Sequence, residues 1–211
     1  MKNKANTHAE HLTIMMLDLC GYTHLSSKLN RKTLHELHDL FDDIAIPAVK
    51  EHHGQIIKKM GDAFLATFKS PTNALHCSIA LQNKFTEYNK INQPRFPLKI
   101  KIALHTGEII VKEGDIYGDA VNITSRIESI AEAGDILFSN SLFLAMNKNE
   151  ISSVYLGRRN FKGVNFPVKV YKVKPRRIRR RVSRNAFRNI AWWILFLVII
   201  YLLFKVADKL F

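Results

Sequence analysis

Two hydrophobic rhythms share the first 174 residues: short apolar runs that stop at turn residues, and stretches with apolar positions every three or four residues. Thr13 to Asp18, TIMMLD, is a short run ending at a turn-like Cys20-Gly21, and predicts a buried strand with a carboxylate at its end. Leu34, Leu37, Leu40, Phe41, Ile44, Ala45 and Val49 trace one face of a helix over Thr33 to His52. Gly54 breaks it, and Gly54 to Phe68 reads as two short strands joined at Gly61-Asp62, which puts a second carboxylate on a hairpin tip. Pro71 opens a helix reaching about Tyr88. Leu98 to Gly107 alternates like a half-buried strand, and a further strand is expected over Glu108 to Lys112. A helix over Ala120 to Ala131 and short strands near Ile136 to Phe138 and Val168 to Val173 complete the pattern. The irregular alternation of helix and strand predicts an α+β fold, a mainly antiparallel sheet flanked by helices.

The pattern changes abruptly near the end of the chain. Ile190 to Phe204 has no polar face, which an interfacial helix would need. Its 15 residues reach only about 22 Å, but continuing to Phe211 gives about 33 Å, enough to cross a bilayer if Lys205 and Lys209 snorkel. Seven arginines precede it, between Arg176 and Arg188, and favour a membrane span over a core helix. The expected organisation is a polar segment 1–12, a folded domain 13–174, a basic juxtamembrane linker 175–189 and a C-terminal anchor 190–211.

Charge placement then decides between partners. The net charge is +14, but from Lys172 onward eleven basic residues face Asp208 alone, so ten of those charges belong to the tail. A basic run beside an apolar stretch suits anionic lipid headgroups and argues against nucleic acid. The opening MKNKANTHAEHL lacks the apolar core of a signal peptide, and no sensor domain is expected ahead of the fold. Cys20 and Cys77 have neither the spacing of a zinc site nor a disulfide framework. The domain is therefore expected on the cytoplasmic side of a membrane, held by a single-pass tail.

Asp18 and Asp62, at the ends of short strands, are hard oxygen ligands of the kind divalent cations on a triphosphate require. An exposed Asp beside Gly in a turn is also common for purely structural reasons. The flanking residues distinguish the two. LDLCGYTHLS (Leu17 to Ser26), KKMGDAFLATF, and GDIYGDAVNITSR (Gly114 to Arg126) together resemble the catalytic core of class III adenylate and guanylate cyclases. The resemblance covers about Thr13 to Lys174 and implies a ferredoxin-like palm.

That resemblance implies roles for particular residues. Asp18 and Asp62 would hold two Mg²⁺ or Mn²⁺ ions per site, with the Leu19 carbonyl as a third ligand. Backbone amides from Cys20 through Gly21, Tyr22 and Thr23 would cradle phosphate oxygens at the opening of the next helix. Asn122 and Arg126, four apart on one helix face, would position the ribose and stabilise charge on the α-phosphorus. Lys58 and Asp115 would read the base: Lys donates to adenine N1 and Asp accepts from N6, whereas guanine reverses both demands. A shift of one residue would put Lys59 in place of Lys58. Lys162 would contact the triphosphate, with Arg158 and Arg159 as alternatives.

The two residue sets belong to opposite sides of a dimer interface in this family, so a homodimer with ATP in two composite sites is implied. A cyclase acting on GTP or a pyrimidine nucleotide is the alternative, as is an idle nucleotide-binding module at the membrane. His35 and His38, with Asp42 and Asp43 beyond, read as a solvated helix face rather than a metal site. Cys20 reads as a small buried filler, although its place in the loop would allow sensitivity to oxidation.

Overall fold

The computed structural model describes residues 7–22 and 26–174. The expected anchor at 190–211, the expected linker at 175–189, Thr23 and the first six residues lie outside them. Among the described residues no helix is long and apolar enough to cross a membrane.

Twelve elements follow in order: β1 (His8–Leu19), α1 (Arg31–Glu51), β2 (Gly54–Met60), β3 (Ala63–Phe68), α2 (Pro71–Asn92), β4 (Ile100–Lys112), β5 (Asp115–Tyr117), α3 (Asp119–Glu128), β6 (Ile136–Ser139), α4 (Asn140–Ala145), β7 (Ser153–Arg159) and β8 (Val168–Val173). The sheet runs β2-β3-β1-β4-β6-β8-β7, with β5 paired to β4. It is a mixed sheet: β4 and β6 run parallel, and the other pairs are antiparallel.

Local chemistry starts the helices where the pattern predicts. The Asn30 side chain accepts from the Thr33 amide at 2.9 Å to cap α1. Ser70 caps α2 through the Asn73 amide, and Pro71 supplies the preset backbone angle of a first helical residue. Alternation along β1 then assigns its two faces. Met15, Leu17 and Leu19 join Phe41, Phe64 and Phe85 in the main core under α1 and α2. Ile14 faces the other way, into a cluster with Ile109 and Ala120 at the base of α3. Both faces of β1 are covered, so Asp18, on the Ile14 side, is set at the rim of a packed surface.

Four differences from the sequence pattern are informative. β1 begins at His8, inside the segment expected to be polar and irregular, because His8 to Leu12 pair with Val111 to Gly107. Cross-strand pairing, not burial, forms that half. The expected second strand over Glu108 to Lys112 is the continuation of β4 through Gly107. Strands β5 and β7 and helix α4 were not legible, being short or exposed. α2 also runs past Tyr88 to Asn92, where the Asn89 amide side chain bonds both the N–H and the C=O of Leu98 and so orders the entry to β4.

Gly54 is required by space. A Cβ there would lie 2.7 Å from Val49 Cγ1 and closer still to the Phe68 ring, both in the core. Gly54→Ala should therefore destabilise the fold by about 1–3 kcal/mol, read as a lower denaturation midpoint with unchanged m-value. An unaffected midpoint would show that α1 and β3 can separate at no cost.

Candidate functional site

Three groups of side chains, two on the sheet and one on α3, hold most of the predicted residues. The first lies where β1 ends beside the β2–β3 turn. Asp18 is paired across β1–β3 with Ala63 and across β1–β4 with Lys101. Gly61 takes a left-handed φ of 65° in the turn, and Asp62 follows it; the Leu19 amide donates to the Asp62 carbonyl at 3.2 Å. Strand end and hairpin tip are thus tied, and Asp62 is close enough for its charge to act on Asp18.

Lys101 adds what the sequence pattern did not reveal. Its ammonium lies 3.3 Å from Asp18 Oδ2 and 2.6 Å from Glu128 Oε1. Burial raises the Asp18 carboxyl to about 6 against the opposing pull of Lys101, and the charges of Asp62 and Glu128 push the same way. Burial also works against the Lys101 charge, yet bonding to Glu128 and Asp18 holds its pKa above the ordinary value. The two shifts agree if Lys101 is satisfied chiefly by Glu128, which it approaches more closely. Asp18 is then left with a weaker partner.

Two crowded carboxylates fit a hard divalent cation, which would relieve their repulsion. Among the described residues no group of three or more His, Cys, Asp or Glu side chains is arranged to cage a metal. His38 is not on a merely solvated face, however: its Nε2 pairs with the Tyr22 hydroxyl at 2.7 Å, ring edge to ring face. That contact pins the loop after Asp18 to α1.

The loop itself needs one correction. The Cys20 amide donates to the Lys99 carbonyl at 2.8 Å, so it is committed to the sheet and not offered to a phosphate. Gly21, with φ of 77°, turns the chain beyond it, which leaves Gly21 and Tyr22 as the described residues of the expected cradle. Burial pushes the Cys20 thiol up, in keeping with a filler.

The second group is the pair Lys58 and Asp115, joined at 2.6 Å. This pairing holds the Asp115 carboxyl below its usual range. Lys59 instead reaches Asp42 on α1, also at 2.6 Å, so the geometry separates the two adjacent lysines and matches Lys58 with Asp115.

The third group is the outer face of α3. Asn122 and Arg126 are both exposed, and neither side chain has a hydrogen bond or ion pair among the described residues. At 3.6 residues per turn, Arg126 points about 160° away from Glu128, two residues on. Glu128 faces this protomer's own Asp18 and Lys101, so Arg126 faces outward. Lys162 lies exposed in the loop between β7 and β8, and Arg158 and Arg159 are exposed on β7; nothing brings them to the other groups. A cavity of about 400 Å³ between α1 and α2, lined by His52, His53 and His76 among others, contains none of the predicted residues.

With fold and geometry in place, comparison with known proteins assigns the class. Residues 5–175 match the family described as "Adenylate and Guanylate cyclase catalytic domain", and the chain belongs to that family. It is 28% identical over 170 residues, 81% of this chain, to the serine/threonine-protein kinase pkn2 of Myxococcus xanthus, of which it covers 20%. It is 27% identical to putative adenylate cyclase 3 of Rhizobium meliloti, covering 77% of this chain and 28% of that protein. The adenylyl cyclase CyaB of P. aeruginosa superposes with a TM-score of 0.75 at 26% identity, over 82% of this chain and 98% of the other. The chain thus spans less than a third of these two relatives and nearly all of the solved CyaB chain.

The Asp18 environment has a measurable consequence. A carboxyl raised from 3.8 to about 6 stabilises the fold while protonated, and that contribution is lost as pH rises through 6. Relative to Asp18→Asn, the native chain should lose about 1–2 kcal/mol between roughly pH 4.5 and 7.5, after discounting for solvent screening. The lowered His105, buried and near His11, is common to both proteins and cancels. Denaturant titrations across that range check it, and a pH-independent difference would sink it.

Proposed function

We propose that the chain converts ATP to 3′,5′-cyclic AMP and pyrophosphate at two composite sites of a homodimer. The observation that carries this reading is the exposed face of α3: Asn122 and Arg126 lie open there, Arg126 turned away from Glu128 and the Asp18–Lys101 pair it faces, and neither side chain has a partner among the described residues. A second copy would bring its Asp18 and Asp62 to the same triphosphate that Asn122 and Arg126 contact.

Two divalent cations, Mg²⁺ or Mn²⁺, held by Asp18, Asp62 and the Leu19 carbonyl, would neutralise the triphosphate and acidify the ribose 3′-hydroxyl. The rest falls to side chains and backbone. Gly21 and Tyr22 amides hold phosphate oxygens, and the Tyr22–His38 contact keeps that loop in place. Asn122 of the opposite protomer orients the ribose for in-line attack. The new bond joins O3′ to the α-phosphorus, and the bond from that phosphorus to the pyrophosphate oxygen breaks. Arg126 donates to the oxygens on which negative charge accumulates.

Base choice rests on Lys58 and Asp115. Without nucleotide each neutralises the other, and because both are partly exposed their separation costs little. Adenine entering between them offers N1 to Lys58 and N6 to Asp115. Lys162 closes over the triphosphate from its loop.

We further propose that the 190–211 tail spans a membrane with the basic 175–189 segment against anionic headgroups on the cytoplasmic side. Holding two copies in one surface raises their effective concentration. Flotation with phosphatidylserine vesicles should follow the full chain and fail after deletion of 190–211; equal flotation would refute the anchor.

Turnover of the four nucleoside triphosphates with Mn²⁺ tests the chemistry. ATP should be preferred; Lys58→Glu should lower its use about 10–100-fold and Arg126→Ala about 100–1,000-fold. Mixing inactive Asp18→Ala and Arg126→Ala proteins should restore roughly a quarter of the native rate, since half the dimers then carry one intact site. Absence of recovery, with dimers still present, refutes the composite site. Cyclic GMP as the main product would reassign the base, and no product at any protein concentration would leave a nucleotide-binding module.

A further inference from the structure

We infer that Lys101 occupies the cation position at Asp18 until a divalent ion arrives, and that Glu128 is the positioning residue that draws it off. The inference rests on reading Asp18 and Asp62 as the cation ligands.

Register puts Lys101 on β4 directly across from Asp18, and the end of α3 brings Glu128 to the other side of the same ammonium. The side chains of Asp18, Lys101 and Glu128 are about four-fifths buried, with exposures of 23%, 20% and 20%. A charge so enclosed must be paired. Lysine is suited to being shared: it is a point charge on a flexible four-carbon stem, able to move between acceptors without losing its proton. It already leans toward Glu128, at 2.6 Å against 3.3 Å from Asp18.

The charge count shows why both residues are needed. Asp18, Asp62 and Glu128 against Lys101 leave two net negative charges, which one divalent ion neutralises with Lys101 still in place. Lys101 therefore does not have to leave the site; it has only to shift fully onto Glu128. Without Glu128 the ammonium has Asp18 as its remaining close acceptor and competes with the metal for the same oxygen. Without Lys101 the metal meets Asp18 unopposed.

The test is Mn²⁺ binding to the nucleotide-free 211-residue chain, followed by the electron paramagnetic resonance of unbound Mn²⁺, with thermal unfolding confirming that each variant is folded. Lys101→Met should tighten binding about three- to tenfold. Glu128→Gln should weaken it about tenfold in the native background but less than threefold beside Lys101→Met, because its effect runs through the lysine. Equal losses in the two backgrounds would show Glu128 acting as a plain negative charge and would overturn the inference, as would no loss at all. If Glu128→Gln does not fold, Lys101→Met decides alone: unchanged or weaker binding overturns it. Asp18→Asn separates the two levels. Its loss of Mn²⁺ binding with no response at positions 101 and 128 defeats this inference only, whereas retained binding, or none by the native chain at millimolar Mn²⁺, defeats the cation-site reading beneath it.

Discussion

The pairing of β1 on both its edges is the constraint on which the rest depends. Its partners β3 and β4 hold it in antiparallel register, and that double pairing sets Asp18 opposite Ala63 on one side and Lys101 on the other. A slip of one residue would turn Asp18 into the apolar core and bring Leu17 or Leu19 to the site. The apolar alternation of Ile14 to Leu19, covered by helices on both faces, forbids the slip. The position of one carboxylate is thus secured by the burial of its neighbours.

Around that carboxylate lie charges that do not balance among the described residues. Asp18 sits where burial disfavours its ionised form, and the ammonium nearest to it is shared with Glu128. On the opposite surface of α3, Arg126 has no counter-charge among the described residues. A short helix carries a group that serves its own protomer at one end and a cation turned outward two residues earlier. Excess acid on one surface and uncompensated base on another suit a site completed by a second copy around a polyanion.

Much of this was legible in the amino-acid pattern, for identifiable reasons. The amphipathic α1, the Pro71 start of α2, the Gly61-Asp62 hairpin and the two acidic strand ends all rest on local signals: apolar spacing, Pro at a helix start, glycine where φ is positive. The family resemblance was carried by three short motifs whose residues fall into three spatial groups. β5, β7 and the first half of β1 were not legible, because exposed pairing edges leave no hydrophobic period. The Cys20 amide was misassigned to phosphate for a related reason, since only the sheet shows that Lys99 already claims it.

By itself, then, the sequence determined the α+β class, the bounds of α1, α2 and α3 to within a few residues, and the motifs that carry the family resemblance, because these follow from periodicities and contacts a few residues long. Tertiary structure alone decided which lysine meets Asp115, that Lys101 lies between Asp18 and Glu128, that His38 holds Tyr22, and that Arg126 faces outward. These facts join residues 16 to 83 positions apart or depend on how a helix is rotated against a sheet. Strand register and core packing set such relations, and no local pattern encodes them.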